Sequence, residues 1–105
     1  MKIHDSDDVL FLLERSAKDL TQSQRLVALL YAASEQRADG AVLVRAAELA
    51  ATVGMTGPAF SRTRKEMVEK GWLEEAGTIG RLKVYRLPTA ISRQRVGGHL
   101  RVVGE

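Results

Sequence analysis

The chain of 105 residues contains no cysteine and only two histidines. Without cysteine it can form neither a disulfide bond nor a thiolate metal site. The histidines, His4 and His99, lie near opposite ends of the chain without clustered partners that would complete a metal or acid–base site. We therefore expect neither a metal ion nor a cofactor.

The sequence also lacks the short motifs of common enzyme active sites. It has no P-loop, no G-x-S-x-G, no H-E-x-x-H and no G-x-G-x-x-G. Glu74 and Glu75 are adjacent on a predicted strand, so they point to opposite faces and make a poor acid–base pair. These absences predict a protein that is not an enzyme.

Long hydrophobic runs are missing too. No apolar run approaches the ~20 residues that a membrane span needs, and the N-terminal MKIHDSDD is acidic after Lys2, unlike a secretory signal. The length suits one folded domain, and the composition is ordinary for a globular protein. We expect a single cytoplasmic domain without a membrane partner.

The charge of the chain is unevenly placed. The net charge is +3, yet residues 1–76 carry ten basic and twelve acidic side chains. Residues 77–105 carry six basic side chains and one acid, Glu105. This asymmetry has two interpretations: an anionic partner for the C-terminal third, or a solvated arginine-rich tail. Charge alone does not separate them.

Residues 46–73 predict two short helices joined by a tight turn. Gly54 ends the first helix in the left-handed conformation, and the Thr56 hydroxyl caps the second. Gly71 ends the second helix. The residues with helical apolar spacing are Ala46, Leu49, Ala50 and Val53 in the first helix and Phe60, Thr63 and Met67 in the second.

Two further helices and a strand are predicted before this pair. Residues 7–20 and 22–36 have helical periodicity, and Thr21 with Gln24 forms a capping box at the start of the second helix. Residues 41–44 form a short β-branched run, which is long enough to predict the first strand of a small sheet. The expected inner stripe of helix 22–36 is Leu26, Val27, Leu29, Leu30 and Ala33.

A β-hairpin is predicted after the helices. Residues 72–75 and 81–87 have strand character, and 76–80, with its two glycines, forms a flexible tip. Tyr85 and Leu87 are expected to face the core. The sequence does not decide the residues beyond Pro88, where 89–96 could be a short helix, Gly97-Gly98 a break, and 99–103 either an extra strand or a loose arm.

Four segments share the pattern of a known family: Glu48-Leu49-Ala50, Ser61-Arg62, EKGWL at 69–73 and GRLKVYRL at 80–87. On these segments, residues 22–87 resemble the winged helix-turn-helix domain of MarR/ArsR-like bacterial regulators. The resemblance implies a mainly α fold with a small β-hairpin wing (α+β). It divides the chain into an N-terminal helix at 1–21, a winged helix-turn-helix domain at 22–88 and a basic C-terminal arm at 89–105.

Three residues depart from the family pattern. Arg45 replaces the usual capping serine or threonine, Arg64 stands at a position that is usually leucine, and Val68 at one that is usually charged. For Arg64 the sequence leaves two interpretations, a phosphate contact from the edge of the core or a pair with an acid inside the domain.

The resemblance implies that a recognition helix at about 57–70 enters the major groove of double-stranded DNA. The wing at 76–83 would then lie on the adjacent minor groove. The expected contacts are Thr56, Ser61, Arg62, Arg64 and Lys65 on the helix and Arg81 and Lys83 on the wing. An arginine can pair with a guanine edge, and hydroxyls suit phosphates. The alternative for Arg62 and Lys65 is an ordinary solvent-facing role.

Helix 7–20 is apolar over more of its circumference than one packing face needs. Its apolar residues are Val9, Leu10, Phe11, Leu12, Leu13, Ala17 and Leu20. We expect Val9, Leu10, Leu13 and Ala17 to form a homodimer interface, the alternative being that the domain core covers them all.

The sequence as a whole predicts a small dimeric transcriptional regulator that binds specific double-stranded DNA. Two alternatives stay open: a plasmid-partition or replication-control protein that recognises repeat arrays, and a winged-helix adaptor that binds protein. No small-molecule effector is indicated. Salt dependence separates DNA binding from adaptor binding, because displacing counterions from DNA makes affinity fall steeply with salt.

Overall fold

The structure, a computed structural model, describes residues 1–91. The expected arm at 97–105 and most of the possible helix at 89–96 lie outside these residues. The elements in chain order are α1 (Ser6–Asp19), α2 (Gln22–Ala33), α3 (Ala46–Thr52), α4 (Gly57–Glu69), β1 (Glu74–Ile79), β2 (Leu82–Arg86) and a short 3-10 helix (Thr89–Ile91). The predicted mainly helical α+β class is confirmed. Across residues 1–91, each helix is too short or too polar to span a membrane.

The predicted capping residues and glycine stops are confirmed, but α2 ends at Ala33, earlier than the predicted end at 36. The Thr21 N–H donates to Gln24 Oε1 at 3.1 Å, and the Gln24 N–H donates to Thr21 Oγ1 at 3.3 Å, which completes the capping box of α2. Thr56 Oγ1 accepts from the Ala59 N–H at 3.2 Å and caps α4. Gly54 and Gly71 have φ of 71° and 79°, the left-handed conformation that glycine adopts without steric cost. Thr21 therefore marks the start of α2. Gly54 lies just after α3, and Thr56 and Gly71 mark the two ends of α4.

The core draws buried residues from all four helices. The inner face predicted for α4 is confirmed, since Phe60, Thr63 and Met67 are all buried. Trp72 and Leu73 follow α4 into the core, and their N–H groups both donate to the Met67 carbonyl. The other large core residues are Leu12, Val27, Tyr31, Leu49 and Leu87.

The inner stripe predicted for α2 is partly wrong. Val27 is buried and Leu29 and Leu30 are partly buried, but Leu26 and Ala33 are exposed. The buried residues of α2 are Gln24, Val27, Ala28, Tyr31 and Ala32. The helix is rotated about its axis relative to the prediction, because the large Tyr31 ring fills the core. Gln24 can also be buried, because its side-chain amide is hydrogen-bonded.

Gln24 ties the start of α2 to the end of α4. Its Nε2 donates to Glu66 Oε1 at 3.0 Å, and its Oε1 accepts from Lys70 Nζ at 2.8 Å. Lys70 Nζ also donates to the Asp19 carbonyl at 3.1 Å, at the end of α1. A buried polar side chain is tolerated here because both ends of the amide are bonded.

The strand predicted at 41–44 does not form. Only Val42 pairs, in isolated bridges to Gln36 and to Tyr85. The run ends at Val44, because α3 begins at Ala46 with Arg45 as its N-cap. The sheet within residues 1–91 therefore has two strands.

The hairpin turns more tightly than predicted. Residues 76–80 are not a free tip, because Gly77, Thr78 and Ile79 pair with Val84, Lys83 and Leu82. A bulge lies between Glu75 and Gly77, and the turn falls at Gly80 and Arg81. Trp72 and Leu73 precede the first strand instead of belonging to it.

The prediction that Tyr85 and Leu87 face the core is confirmed, since Leu87 belongs to the core cluster and Tyr85 packs against it. Leu87 is buried as expected, but it follows the strand. Within the strand Val84 is the buried residue and Tyr85 is half-buried. The ring of Tyr85 lies under the Arg64 guanidinium, which keeps part of it at the surface.

Gln24→Leu should destabilise the domain by about 2–4 kcal/mol. The change removes the amide from the capping box and leaves Glu66 and Lys70 without their shared partner. Urea unfolding monitored by circular dichroism measures the loss. Gln22→Leu, at an exposed position two residues earlier, is the matched control and should cost about 0.5 kcal/mol or less. Equal losses would mean that the Gln24 network adds no stability.

Candidate nucleic-acid interface

The α3–turn–α4 unit is built by a short backbone connection. The Met55 N–H donates to the Ala50 carbonyl at 2.9 Å, and the Gly54 N–H donates to the Ala51 carbonyl at 3.1 Å. Met55 is partly buried against the core, as expected of a residue that plugs the turn. The unit therefore presents one face of α4 to solvent while the opposite face is held inside.

The outer face of α4 follows directly from its inner face. Phe60, Thr63 and Met67 point inward, so residues about half a turn away point outward. Ser61, Arg62 and Lys65 are exposed, together with Val68 and Glu69. The side chains of this face include two cations, one hydroxyl and one carboxylate.

The cations of the domain divide into two groups. In the first group, Arg25 bonds Ser16 Oγ and the Leu13 carbonyl, and Lys70 bonds Gln24. In the second group, no partner within residues 1–91 is found for the exposed side chains of Lys18, Arg45, Arg62, Lys65 and Arg81. Three of the seven predicted DNA contacts, Arg62, Lys65 and Arg81, thus keep their charge available to a ligand.

The two predicted hydroxyl contacts are both exposed. Thr56 Oγ1 accepts the capping hydrogen bond of α4, but a hydroxyl can still donate its own proton. Ser61 lies one turn further along, on the outer face. Both hydroxyls therefore remain suited to a phosphate oxygen.

The two predicted wing contacts have different surroundings. Arg81 stands at the turn between the strands, next to Gly80. Lys83 Nζ lies 3.7 Å from Glu75 Oε2, with side chains 63% and 49% exposed. Such an exposed pair is weak, so it partly neutralises Lys83 without removing it from solvent.

Arg64 lies on the inward side of α4. Its guanidinium carbon is 4.3 Å from the centroid of the Tyr85 ring and 5.6 Å from that of the Phe60 ring. Tyr31, on α2, also interacts with this guanidinium. The partners of Arg64 inside the domain are therefore aromatic, whereas the sequence suggested an acid or a phosphate.

Burial of Tyr31 raises the pKa of its hydroxyl. A hydrogen bond from Arg64 and its positive charge act in the opposite direction, and Tyr85 adds to the increase. The ring is 1% exposed, so removal of the ionised form from water outweighs the neighbouring cation. Tyr31 therefore keeps its proton to a higher pH than an exposed tyrosine does.

The base of the β1–β2 hairpin carries a charged cluster that the sequence did not indicate. Arg86 Nε donates to Glu74 Oε2 at 2.6 Å, and Arg86 NH1 donates to the Asp39 carbonyl at 3.3 Å. The Arg37 guanidinium beside Asp39 lowers the pKa of that carboxyl. Arg37 and Arg86 are far apart in sequence, so no spacing rule could place them together.

The helix α1 leaves part of its apolar surface uncovered by residues 1–91. Leu12 and Leu20 are buried, Val9, Phe11 and Leu13 are partly buried, and Leu10 and Ala17 are exposed. Leu10 is 57% exposed. The inward face includes two polar residues, Asp8 and Ser16. Of the four predicted interface residues, Leu10 and Ala17 are thus the most accessible.

Comparison with known proteins adds no assignment. The chain matches no family model, no curated protein and no solved structure.

The domain should lose stability as the pH rises above about 10. The pKa of Tyr31 is higher in the folded than in the unfolded state, so the folded state retains a proton that the unfolded state releases. The stabilisation is complete below the unfolded pKa and is lost as pH rises toward the folded pKa. Chemical unfolding at a series of pH values measures it.

Tyr31→Phe is the control for this pH dependence, because lysines also lose their protons in the same range. The difference in unfolding free energy between wild type and Tyr31→Phe should change only above about pH 10. A constant difference across that range would show that Tyr31 titrates normally.

Proposed function

We propose that this protein is a winged helix-turn-helix transcriptional regulator that binds specific double-stranded DNA as a homodimer. In this proposal α4 enters the major groove and the β1–β2 hairpin is the wing on the adjacent minor groove. The observation that supports it most strongly is the position of the unpartnered cations. Arg62 and Lys65 lie on the outer face of α4, and Arg81 lies at the turn of the hairpin.

The side chains on the outer face of α4 can contact both bases and phosphates. The Arg62 guanidinium has two parallel N–H groups that fit the O6 and N7 acceptors of guanine. Lys65 is a point charge that suits a phosphate, and the Thr56 and Ser61 hydroxyls can donate to phosphate oxygens. In this arrangement Arg62 recognises the base sequence, while Lys65, Thr56 and Ser61 fix the position of α4 on the DNA backbone.

The wing supplies a second contact. A narrow minor groove concentrates negative potential and attracts an inserted arginine. Arg81 is suited to this role because it stands at a tight turn and is free of partners within residues 1–91. Lys83, which pairs weakly with Glu75, is assigned to the phosphate backbone.

The uncovered side of α1 provides the proposed dimer interface. Leu10, Leu13 and Ala17 are spaced three and four residues apart, so they form one stripe along the helix. A second copy that packs its own stripe there would shield the exposed apolar surface. A two-fold axis at this helix would present two α4 helices to one side of DNA, with half-sites about 34 Å apart.

The proposal assigns no catalytic activity, cofactor or effector to the chain. A partition or replication-control protein would use the same contacts on arrays of repeats, so the arrangement of sites distinguishes it. A protein-binding adaptor is favoured by different observations. Val68 and Ile79 are exposed apolar residues near the same surface, and Glu69 lies on the outer face of α4.

Arg62→Ala should lose roughly 1–3 kcal/mol of binding free energy on a site selected from random DNA, and should relax preference at one base position. Lys65→Ala should weaken all sequences alike and reduce the salt slope by about one. Fluorescence anisotropy at several salt concentrations measures both effects.

Lys18→Ala is the control for charge removal, since Lys18 is an exposed cation on α1 without a partner among residues 1–91. It should leave affinity unchanged within about twofold. Full affinity in Arg62→Ala would mean that α4 does not read the bases, whereas weak salt dependence of wild-type binding would favour the adaptor.

Leu10→Glu should convert the dimer to a monomer and weaken binding to a two-half-site operator by more than tenfold. The new carboxylate would be buried without a partner in the dimer but solvated in the monomer, where Leu10 is 57% exposed. Sedimentation velocity and anisotropy measure the two effects.

Leu43→Glu is the matched control, because Leu43 is 44% exposed and lies away from α1. It should leave the dimer intact. A wild type that sediments as a monomer at micromolar concentration, with and without DNA, would contradict the interface.

A further inference from the structure

Arg64 lies beside aromatic rings of its own helix and of the hairpin. Its guanidinium lies over the ring of Tyr85 in β2 and near the ring of Phe60 in α4, at 4.3 and 5.6 Å. It also interacts with the hydroxyl of Tyr31 in α2. Phe60 and Tyr31 are almost completely buried, so these rings cannot move away from the cation without disturbing the core.

The hairpin has little other packing against α4. Within residues 1–91 the extensively packed pairs of elements are α1 with α2, α2 with α4, α3 with α4 and β1 with β2. Neither strand packs extensively on α4. The contact of Arg64 with Tyr85 therefore connects α4 to β2 through side chains, in addition to the backbone link from α4 through Trp72 and Leu73 to β1.

Tyr85 is itself held firmly in the hairpin. It pairs with Glu75 across the two strands, and its carbonyl accepts from the Val42 N–H at 3.0 Å. Tyr85 therefore contacts Arg64 through its ring and holds Glu75 and Val42 through its backbone. Because of this, a shift of its ring relative to α4 changes the orientation of the whole hairpin.

A cation over an aromatic face is attracted most strongly when it is partly removed from water. Arg64 is half-buried, unlike Arg62 and Lys65 on the same helix. Its planar guanidinium can stack on a ring in a way that the compact ammonium of lysine cannot. Both charge and shape therefore contribute to the connection.

We infer that Arg64 is a positioning residue that holds the wing in register with α4, so that Arg62 and Arg81 reach DNA at the same time. The inference rests on the proposed DNA binding. It assigns Arg64 no direct contact with DNA, although the sequence placed it among the DNA-binding residues. Its effect on affinity passes through the wing.

A double-mutant cycle in DNA affinity tests this role, with Arg64→Met and Arg81→Ala. Methionine retains an unbranched apolar side chain but carries no charge. In the wild-type background Arg81→Ala should weaken binding about tenfold, the size of one lost arginine contact. In the Arg64→Met background the same change should cost less than about twofold, because the wing is no longer held at the DNA.

Two comparisons make the cycle specific. Arg62→Ala should cause the same loss in both backgrounds, because Arg62 lies on α4 itself. In the Arg64→Lys background, Arg81→Ala should cost more affinity than in the Arg64→Met background but less than in the wild type. Lysine keeps the positive charge of Arg64 but cannot stack a planar group on the ring. If the losses from Arg64→Met and Arg81→Ala multiply independently, Arg64 does not position the wing.

A second measurement needs no DNA. Residual dipolar couplings of backbone amides report how the hairpin is oriented relative to α2, α3 and α4. In Arg64→Met the helix couplings should still fit one frame, while the hairpin couplings should require a changed or averaged orientation. Lys18→Met is the control and should leave both sets unchanged.

The two measurements separate failure of the inference from failure of the proposed function. A wild type that binds no DNA would contradict the proposed function, and the couplings would still decide whether Arg64 orients the hairpin. Identical hairpin couplings in wild type and Arg64→Met would overturn the positioning role, even if DNA binding were confirmed.

Discussion

Burial of the inner face of α4 is the constraint on which the rest of the structure depends. Phe60 and Met67 are fully buried, and the Met67 carbonyl accepts from the N–H groups of both Trp72 and Leu73. The helix can therefore neither roll nor lift without opening the core. Its opposite face must then point to solvent, and the chain must leave α4 in the direction of the hairpin. The exposed positions of Arg62 and Lys65 follow from apolar packing on the other side of the helix.

The second determinant is how the domain uses its cations. Arg25 and Lys70 bond neighbouring elements, Arg86 bonds Glu74 across the hairpin and the Asp39 carbonyl outside it, and Arg64 stacks on aromatic rings. These side chains stabilise the arrangement of elements and are not available to a ligand. A small set of exposed cations is left over, and the proposed function assigns those on α4 and the hairpin to DNA. Net charge alone would not have distinguished the two groups.

Sequence periodicity and capping chemistry predicted the elements well because they act locally. The capping box at Thr21, the turn at Gly54 and the inner face of α4 depend on residues only a few positions apart. The errors arose where distant contacts decide. Tyr31 and Gln24 rolled α2, and the pairing of Gly77 with Val84 shortened the predicted tip. Phe60 lies four residues before Arg64 on the same helix, a spacing at which side chains meet, but Tyr85 lies on β2, so sequence spacing could not reveal that contact.

Selection of bound sequences from a random pool of double-stranded DNA, with the full chain as bait, tests the central claim most directly. The account predicts enrichment of a two-fold symmetric site whose half-sites are about one helical turn apart. Binding to that site should fall steeply with salt as counterions are released. A pool that shows no enrichment at low salt after repeated rounds would contradict sequence-specific DNA binding by this protein.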